Sequence, residues 1–232
     1  MGSAKLAAVA LCVAAYLYGS LPFVYVLGRR RAVDLKEVGS GNVGATNLWQ
    51  VGGAPLASVG WVLDASKGLL PVLVGRRLGL SAVVSALAGV CGTAGQCWPI
   101  WLGFSGGRGI SAFVGAALAI DRAGWLAALV PFIVGSSWRV VPLLGCRGEP
   151  VARRMRAERS RSVPLGSLIG VLAFPVVSWL AGRRPLLPRV FLALVIVARR
   201  LTAPLPDDAV QGPSQTPRAL VYRLLYDRNT AA

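Results

Sequence analysis

Seven apolar segments are the feature of this sequence that most restricts its fold. They cover residues 6–27, 55–74, 80–102, 110–120, 125–144, 165–181 and 188–197. A helix needs ~20 mainly apolar residues to cross a bilayer. A chain with 55% hydrophobic and 15% charged residues is also too apolar for one soluble domain. The sequence therefore predicts an all-α polytopic membrane protein with about seven transmembrane helices.

Positive charge is unevenly distributed between these segments. The chain has 25 Lys and Arg against nine Asp and Glu, a net charge of +16. Such a charge in a soluble protein would indicate nucleic acid, but here most basic residues lie between apolar segments, where they set orientation and contact anionic lipid. With the N-terminus outside, 16 of them fall on the inner side and seven on the outer side. We therefore expect an outside N-terminus, a cytoplasmic C-terminus, membrane lipids as partners and no nucleic acid.

Two glycine-rich stretches connect the apolar segments on the predicted inner side. The first, residues 39–47, contains glycines, short polar side chains and no bulky residue except Val43. The second, residues 103–109, places Arg108 among four glycines. Backbone amides and short polar groups in such loops converge on small anions, and a guanidinium adds a fixed charge. Both stretches predict contacts to phosphate.

Other polar residues limit the chemistry that is available. The chain has no histidine, and Cys12, Cys91, Cys97 and Cys146 are scattered without a CxxC pair. Hence no metal site and no cofactor are expected. Asp64 and Lys67 stand three residues apart inside an apolar segment and share a helix face. They form either an ion pair that fixes helix packing or a support for the polar site.

The C-terminal region differs from the rest in composition. Residues 204–217 carry four prolines and read as a linker, while residues 218–232 are basic with leucines at helical spacing. The tail is either an interfacial helix or a frayed end. The predicted organisation is a transmembrane domain over 1–203, a linker over 204–217 and a tail over 218–232.

Around the two loops the sequence resembles the bacterial acyl-phosphate:glycerol-3-phosphate acyltransferases, the PlsY family. The matching motifs are Gly-Ser-Leu-Pro at 19–22, Asp-Leu-Lys at 34–36, the first loop at 39–47, Asp-Ala-Ser-Lys-Gly at 64–68 and the run at 98–109. They occur in order and at suitable spacing among the apolar segments, which makes the combination specific although each motif alone is weak.

The resemblance implies a reaction. Family members transfer an acyl chain from acyl phosphate to glycerol 3-phosphate, giving lysophosphatidic acid for phospholipid synthesis. The implied location is the bacterial inner membrane, with the active site on the cytoplasmic face and the acyl tail among the helices. An acyl phosphate already carries a good leaving group, so positioning and electrostatics supply most of the acceleration.

The resemblance also implies roles for particular residues. The catalytic candidates are Arg108, at a position that usually carries Lys, Lys36, at a position that is often Arg, and Asn42. Asp64 and Lys67 are supporting residues, and the hydroxyl proton goes to Asp34, to Glu37 or to the substrate's own phosphate. The predicted phosphate-binding residues are Ser20, Ser40, Gly41, Asn42, Gly44, Thr46, Asn47, Gly106, Gly107 and Gly109.

Some family positions differ in this chain. The family pattern has His at the position of Gln96 and Lys at that of Ser105, and its third motif falls near residues 198–204, where only the pair Arg199-Arg200 is retained. Two alternatives therefore stand beside the acyltransferase. One is a relative without catalysis that binds a phospholipid precursor or regulates a partner. The other is a transporter whose glycine-broken helices line a path.

Overall fold

The structure, a computed structural model, describes residues 2–144 and 162–202, and this part of the chain is helical without any strand. The predicted linker, the basic tail and the arginines from Arg147 to Arg161 lie outside it. A 3-10 turn covers Ile100–Leu102. The helices are α1 Gly2–Ser20, α2 Phe23–Arg29, α3 Ala45–Arg77, α4 Ala82–Cys97, α5 Ile110–Ile120, α6 Arg122–Leu144, α7 Ser162–Leu180 and α8 Leu187–Leu201.

Helices cover most of each of the seven predicted apolar segments, and two segments are divided. The third is interrupted at Trp98 and Pro99, before the 3-10 turn. The first segment separates into α1 and α2 at Leu21 and Pro22, because proline has no N–H for a helix interior. Within the described part of the chain, three stretches are long and apolar enough to cross a membrane, namely Gly2–Arg29, Ala45–Arg77 and Ala82–Leu102. The fold is therefore an all-helical one with membrane-spanning candidates.

Helix α3 begins well before the predicted apolar segment at residue 55. It starts at Ala45 and bends at Gly53, where φ is 78° and ψ is 170°. The bend places Pro55 in the first turn of the longer part, where a missing N–H is tolerated. Ala45, Thr46 and Asn47 therefore belong to a helix N-terminus and not to the glycine-rich loop that the sequence predicted.

Small residues set the distances between the helices. Helix α4 packs against α1, α3, α5 and α8, while α6 packs along α7. A Cβ atom at Gly68 would collide with the carbonyl oxygen of Ala112, and one at Gly115 with that of Ala65. Gly19 meets the backbone of α4 in the same way. Such contacts let helix backbones approach closely, as in other membrane bundles.

The apolar residues divide into a core and an outer surface. Phe113 of α5 contacts Phe174 of α7 edge to face at 5.6 Å, and Leu192 and Ile196 of α8 complete the core at 0% exposure. The outer surface exposes many large apolar side chains, among them Leu6, Val9, Leu126, Val130 and Ile133. An apolar surface of this extent suits contact with lipid.

A polar contact closes the bundle at the α5–α6 corner. Asp121 accepts hydrogen bonds from Ser178 of α7 at 2.8 Å and from Arg183 at 2.9 Å. Arg189 of α8 lies 3.8 Å from the same carboxylate. Since Asp121 follows the C-terminus of α5, the second glycine-rich loop lies at the opposite end of that helix.

We expect Gly115→Val to destabilise the protein by ~1–3 kcal/mol, because the added side chain must push α5 away from α3. The matched control is Gly2→Val, where no atom lies within 4 Å of the added Cβ. Thermal unfolding in detergent compares the two variants. Equal midpoints would contradict the close α3–α5 contact.

Candidate active site

Asn47 organises the first glycine-rich loop from inside. It is 1% exposed, and its Nδ2 donates to the carbonyl oxygens of Leu35, Val38 and Asn42 at 2.9–3.1 Å. Its Oδ1 accepts the amide of Ser40 at 3.3 Å. The side chain that the sequence assigned to phosphate therefore closes the loop onto the start of α3.

Several loop amides are also bonded inside the loop. The Gly41 amide donates to the Val38 carbonyl at 3.0 Å, and the Gly44 amide donates to the Asn42 carbonyl at 2.9 Å. These glycines shape the loop, and Gly41, with a φ of 62°, takes the left-handed conformation that glycine favours. Thr46 is exposed and Asn42 is half-buried, and the first amides of α3 have no acceptor within the helix.

The second glycine-rich loop is held between α4 and α8. The Gly107 amide donates to the Gln96 carbonyl at 3.2 Å. Arg199 donates from Nε to the Gly107 carbonyl at 3.0 Å and from Nη2 to the Gly106 carbonyl at 2.7 Å. Gly109 caps α5, and a Cβ there would stand 2.5 Å from Cys97 Sγ. The loop thus ends at the N-terminus of α5, and the half-buried Arg108 lies just before it.

Arg199 is a residue whose role the sequence did not reveal. It was noted only as half of a basic pair, although it is 6% exposed and binds a loop more than ninety residues away. A signal existed in the helical spacing, because Leu192, Ile196 and Arg199 fall on one face of α8. The adjacent Arg200, 1% exposed, turns to Ser167 of α7 at 2.6 Å.

The two loops meet at one narrow cleft with a cavity volume of about 10 Å³. A Cβ at Gly107 would stand 2.8 Å from the Val43 carbonyl oxygen, so the loops are in direct contact. The lining residues are Leu21, Pro22, Phe23, Val24, Val43, Asp64, Lys67, Gln96, Pro99, Leu102, Gly106 and Gly107. The sequence expectation that both loops belong to one site agrees with this geometry.

An ion pair forms the polar wall of the cleft. Lys67 Nζ lies 2.8 Å from Asp64 Oδ1, and the two side chains are 4% and 2% exposed. Gln96 Oε1 accepts the Ala112 amide at 3.3 Å, which leaves its Nε2 to donate to Asp64. Gln96 therefore joins the second loop, the start of α5 and the ion pair.

Two further predicted residues, Lys36 and Ser20, are not among the residues that line the cleft. Lys36 Nζ reaches the Leu102 carbonyl at 3.4 Å and so bridges the approaches to the two loops. Ser20 is fully buried and donates to the Tyr16 carbonyl within α1 at 2.9 Å. Its hydroxyl thus bonds to a backbone carbonyl in the last turn of that helix.

Asp34 is held as a carboxylate beside the first loop. A hydrogen bond from the Lys36 amide, supported by the Tyr25 hydroxyl and the Arg29 guanidinium, lowers the pKa of Asp34 below its ordinary value. Since a depressed pKa means that the ionised form is favoured in the fold, the loop loses this support only in acid, as the pH falls through that pKa. Among the described residues no cluster of His, Cys, Asp or Glu could hold a metal ion.

We expect Arg199→Ala to open the second loop and expose Cys97, which is 0% exposed beneath Gly109. Losing two charge-assisted hydrogen bonds, each worth ~1.5–3 kcal/mol, should raise the rate of Cys97 alkylation by more than about tenfold. Peptide mass spectrometry reports labelling at this cysteine. The matched control is Arg200→Ala, which removes a contact to Ser167 and leaves the loop bonds intact. Equal labelling of Cys97 in both variants would show that Arg199 does not hold the loop.

The amino-acid sequence is similar to those of known enzymes. Residues 9–145 match the family model described as glycerol-3-phosphate acyltransferase. A glycerol-3-phosphate acyltransferase of Geobacter sulfurreducens is 33% identical over 187 residues, covering 81% of this chain and 86% of its own. Glycerol-3-phosphate acyltransferase 5 of Dehalococcoides mccartyi is 32% identical over 232 residues, covering 94% and 88%.

Solved structures agree with these relatives. The crystal structure of PlsY (YgiH), an integral membrane glycerol 3-phosphate acyltransferase in its glycerol 3-phosphate form, superposes with a TM-score of 0.69 at 26% identity. The superposition covers 84% of this chain and 88% of that one. The lysophosphatidic acid form gives a TM-score of 0.64 at 27% identity. The resemblance found in the motifs is thus confirmed, and the chain belongs to the glycerol-3-phosphate acyltransferase family.

Proposed function

We propose that this protein transfers an acyl group from an acyl phosphate to glycerol 3-phosphate, releasing lysophosphatidic acid and inorganic phosphate. The observation that carries the proposal is the meeting of two glycine-rich loops at one cleft, each leading into a helix N-terminus. Helix N-termini favour anions because their first amides and the helix dipole face the ligand. Two such ends suit a reaction whose two substrates both carry phosphate.

Each loop receives one phosphate in this proposal. The start of α5 with Arg108 and the Gly106 and Gly109 backbone holds one of them. The start of α3 with the side chains of Ser40, Asn42 and Thr46 holds the other, and Lys36 adds a cation between the loops. The residues whose polar groups are bonded inside the fold, namely Ser20, Gly41, Gly44, Asn47 and Gly107, shape the site without touching phosphate.

The chemistry needs a proton acceptor but no nucleophilic side chain. The glycerol hydroxyl oxygen bonds to the acyl carbon, and the bond from that carbon to the phosphate oxygen breaks with its electron pair on phosphate. The hydroxyl proton goes to substrate phosphate, whose second pKa of about 6 suits neutral pH. Asp34 is a weaker base, since hydrogen bonding from the Lys36 amide lowers its pKa.

A crevice between α1 and α3 suits the acyl chain. Its cavity volume is about 270 Å³, and it is lined by Leu11, Ala14, Ala15, Tyr18, Leu70, Pro71 and Val74. The Tyr18 ring contacts the Phe23 ring, with 6.0 Å between the ring centroids, and Phe23 lines the cleft. These two rings therefore lie between the crevice and the cleft, and an acyl chain in the crevice would reach the two loops past them.

The charge distribution and the family support a particular number of spans and an orientation of the chain in the membrane. We propose seven spans, a periplasmic N-terminus and a cytoplasmic C-terminus in a bacterial inner membrane. Both loops then open to the cytoplasm, where glycerol 3-phosphate is available. The excess of Lys and Arg on the inner side supports this orientation.

The reaction is tested with purified protein in detergent. Palmitoyl phosphate is supplied with and without glycerol 3-phosphate, and both inorganic phosphate and lysophosphatidic acid are measured. The proposal predicts equal amounts of the two products, formed only with the acceptor. Palmitoyl-CoA in a parallel reaction should give no product. Binding of palmitoyl phosphate without transfer would instead favour the relative that binds a phospholipid precursor without catalysis.

Arg108→Ala should lower kcat/KM by about 10–100-fold, because it removes a charge-assisted contact worth ~1.5–3 kcal/mol. The matched control is Arg76→Ala, since Arg76 is an exposed cation in the last turn of α3. Both variants should keep the wild-type melting temperature. Unchanged turnover of palmitoyl phosphate by Arg108→Ala would remove Arg108 from the site.

Gln96→His should retain activity, whereas Gln96→Leu should lose at least about tenfold. A neutral histidine offers one donor and one acceptor and can replace both side-chain bonds, to Ala112 and to Asp64. Leucine leaves the buried Asp64 and the Ala112 amide without this partner. Thr93→Val is the matched control on α4, since among the described residues the Thr93 hydroxyl bonds only the Gly89 carbonyl on the same helix. Full activity in Gln96→Leu would contradict the connecting role of Gln96.

A further inference from the structure

We propose that Lys67 is a catalytic residue whose ammonium group donates a hydrogen bond to the acyl carbonyl oxygen of the donor. This inference rests on the proposed function and assigns a role to a buried ion pair that helix packing alone would not require. Three observations carry it: the place of Lys67 along the path of the donor, its remaining donor capacity, and the support of its partner Asp64.

The place of Lys67 follows from the contacts around Phe23. Tyr18 lines the acyl crevice and contacts the Phe23 ring, while Lys67 Nζ lies 5.1 Å from the centroid of that ring. An acyl phosphate with its chain in the crevice and its phosphate on the loops must carry its carbonyl group between them. Lys67 and Phe23 both line the cleft that this carbonyl group would enter.

The ammonium group has donors to spare. Lys67 is 3% exposed, and among residues 2–144 and 162–202 its one ion-pair partner is Asp64, 2.8 Å away. An ammonium has three N–H groups, so two remain for a ligand in the cleft. A buried cation with unused donors is a costly arrangement in a helix bundle and is typical of a functional group.

The ion pair keeps the ammonium in place. Asp64 is fixed by the Gln96 side chain, which is in turn fixed by the start of α5. The lysine backbone is also fixed, because a Cβ at Gly92 of α4 would collide with the Lys67 carbonyl oxygen. Such preorganised donors stabilise charge as it develops, with little reorganisation during the reaction.

The step that Lys67 assists is the attack on the carbonyl carbon. As the glycerol hydroxyl oxygen bonds to that carbon, the carbonyl π electrons move to its oxygen, where Lys67 Nζ–H donates. The oxygen returns these electrons when the bond to phosphate breaks, and the hydroxyl proton leaves with phosphate. Lys67 keeps its own proton throughout, so it acts by hydrogen bonding and charge.

The double variant Asp64→Asn/Lys67→Met tests this role separately from packing. Replacing a buried ion pair by neutral groups of similar volume is often tolerated, and the amide oxygen introduced by the first substitution can still accept from Gln96. We expect a wild-type melting temperature, little change in either KM and a kcat lower by about 10²–10³-fold. A folded double variant with wild-type kcat would overturn the proposal.

A spectroscopic measurement keeps the test open should the double variant not fold. The probe is a ¹³C-carbonyl acyl phosphonate bound to wild-type protein, observed by difference infrared spectroscopy. A hydrogen bond from Lys67 should shift the carbonyl band to lower wavenumber than in detergent micelles, and the single variant Lys67→Met should lose the shift. An unshifted band in wild type would overturn the proposal.

Wild-type transfer of palmitoyl phosphate to glycerol 3-phosphate in the same series reports on the proposed function. Absent transfer with a shifted band would count against the proposed function and leave the Lys67 contact standing. Normal transfer with an unshifted band would support the proposed function and overturn the Lys67 contact.

Discussion

Irregular backbone close to a membrane must satisfy its own polar groups, and the whole site depends on how this chain meets that requirement. Unpaired amides and carbonyls are expensive where water is scarce. Three buried side chains, Asn47, Gln96 and Arg199, supply the bonds that hold the two glycine-rich loops and their helix starts. Because these side chains come from α3, α4 and α8, the loops are fixed by the bundle itself.

Gln96 supplies the hydrogen bonds that a histidine would make at its position in the family pattern. A neutral imidazole at the position of Gln96 would donate one hydrogen bond and accept another, and the glutamine amide does both. What glutamine cannot do is take up a proton at neutral pH. A mechanism in which substrate phosphate accepts the proton does not need this capacity, so the substitution is compatible with acyl transfer.

Sequence patterns predicted the helices, the family and the two loops, because apolar runs and glycine-rich motifs are local signals. They did not predict which way polar groups point within a loop. Asn47, Gly41, Gly44 and Gly107 looked like phosphate ligands, yet their side chain or amides are bonded inside the fold. The part of Arg199 was also missed, because its partners lie more than ninety residues earlier.

The short helix before Gly53 escaped prediction for a different reason. Glycine and proline at positions 53 and 55 signal a break, and only the packed structure shows that both sides of it are helical. Helices α5 and α8 are apolar but shorter than a straight crossing of a bilayer requires. Their packing against α4 keeps them in the bundle.

The central claim is that both loops serve one reaction site, and a crystal structure with glycerol 3-phosphate and an acyl phosphonate tests it most directly. We predict the phosphonate at the start of α5 beside Arg108, the second phosphate at the start of α3, and the carbonyl oxygen within hydrogen-bond distance of Lys67 Nζ. Substrates bound away from the cleft, or a single loop holding both phosphates, would contradict this account.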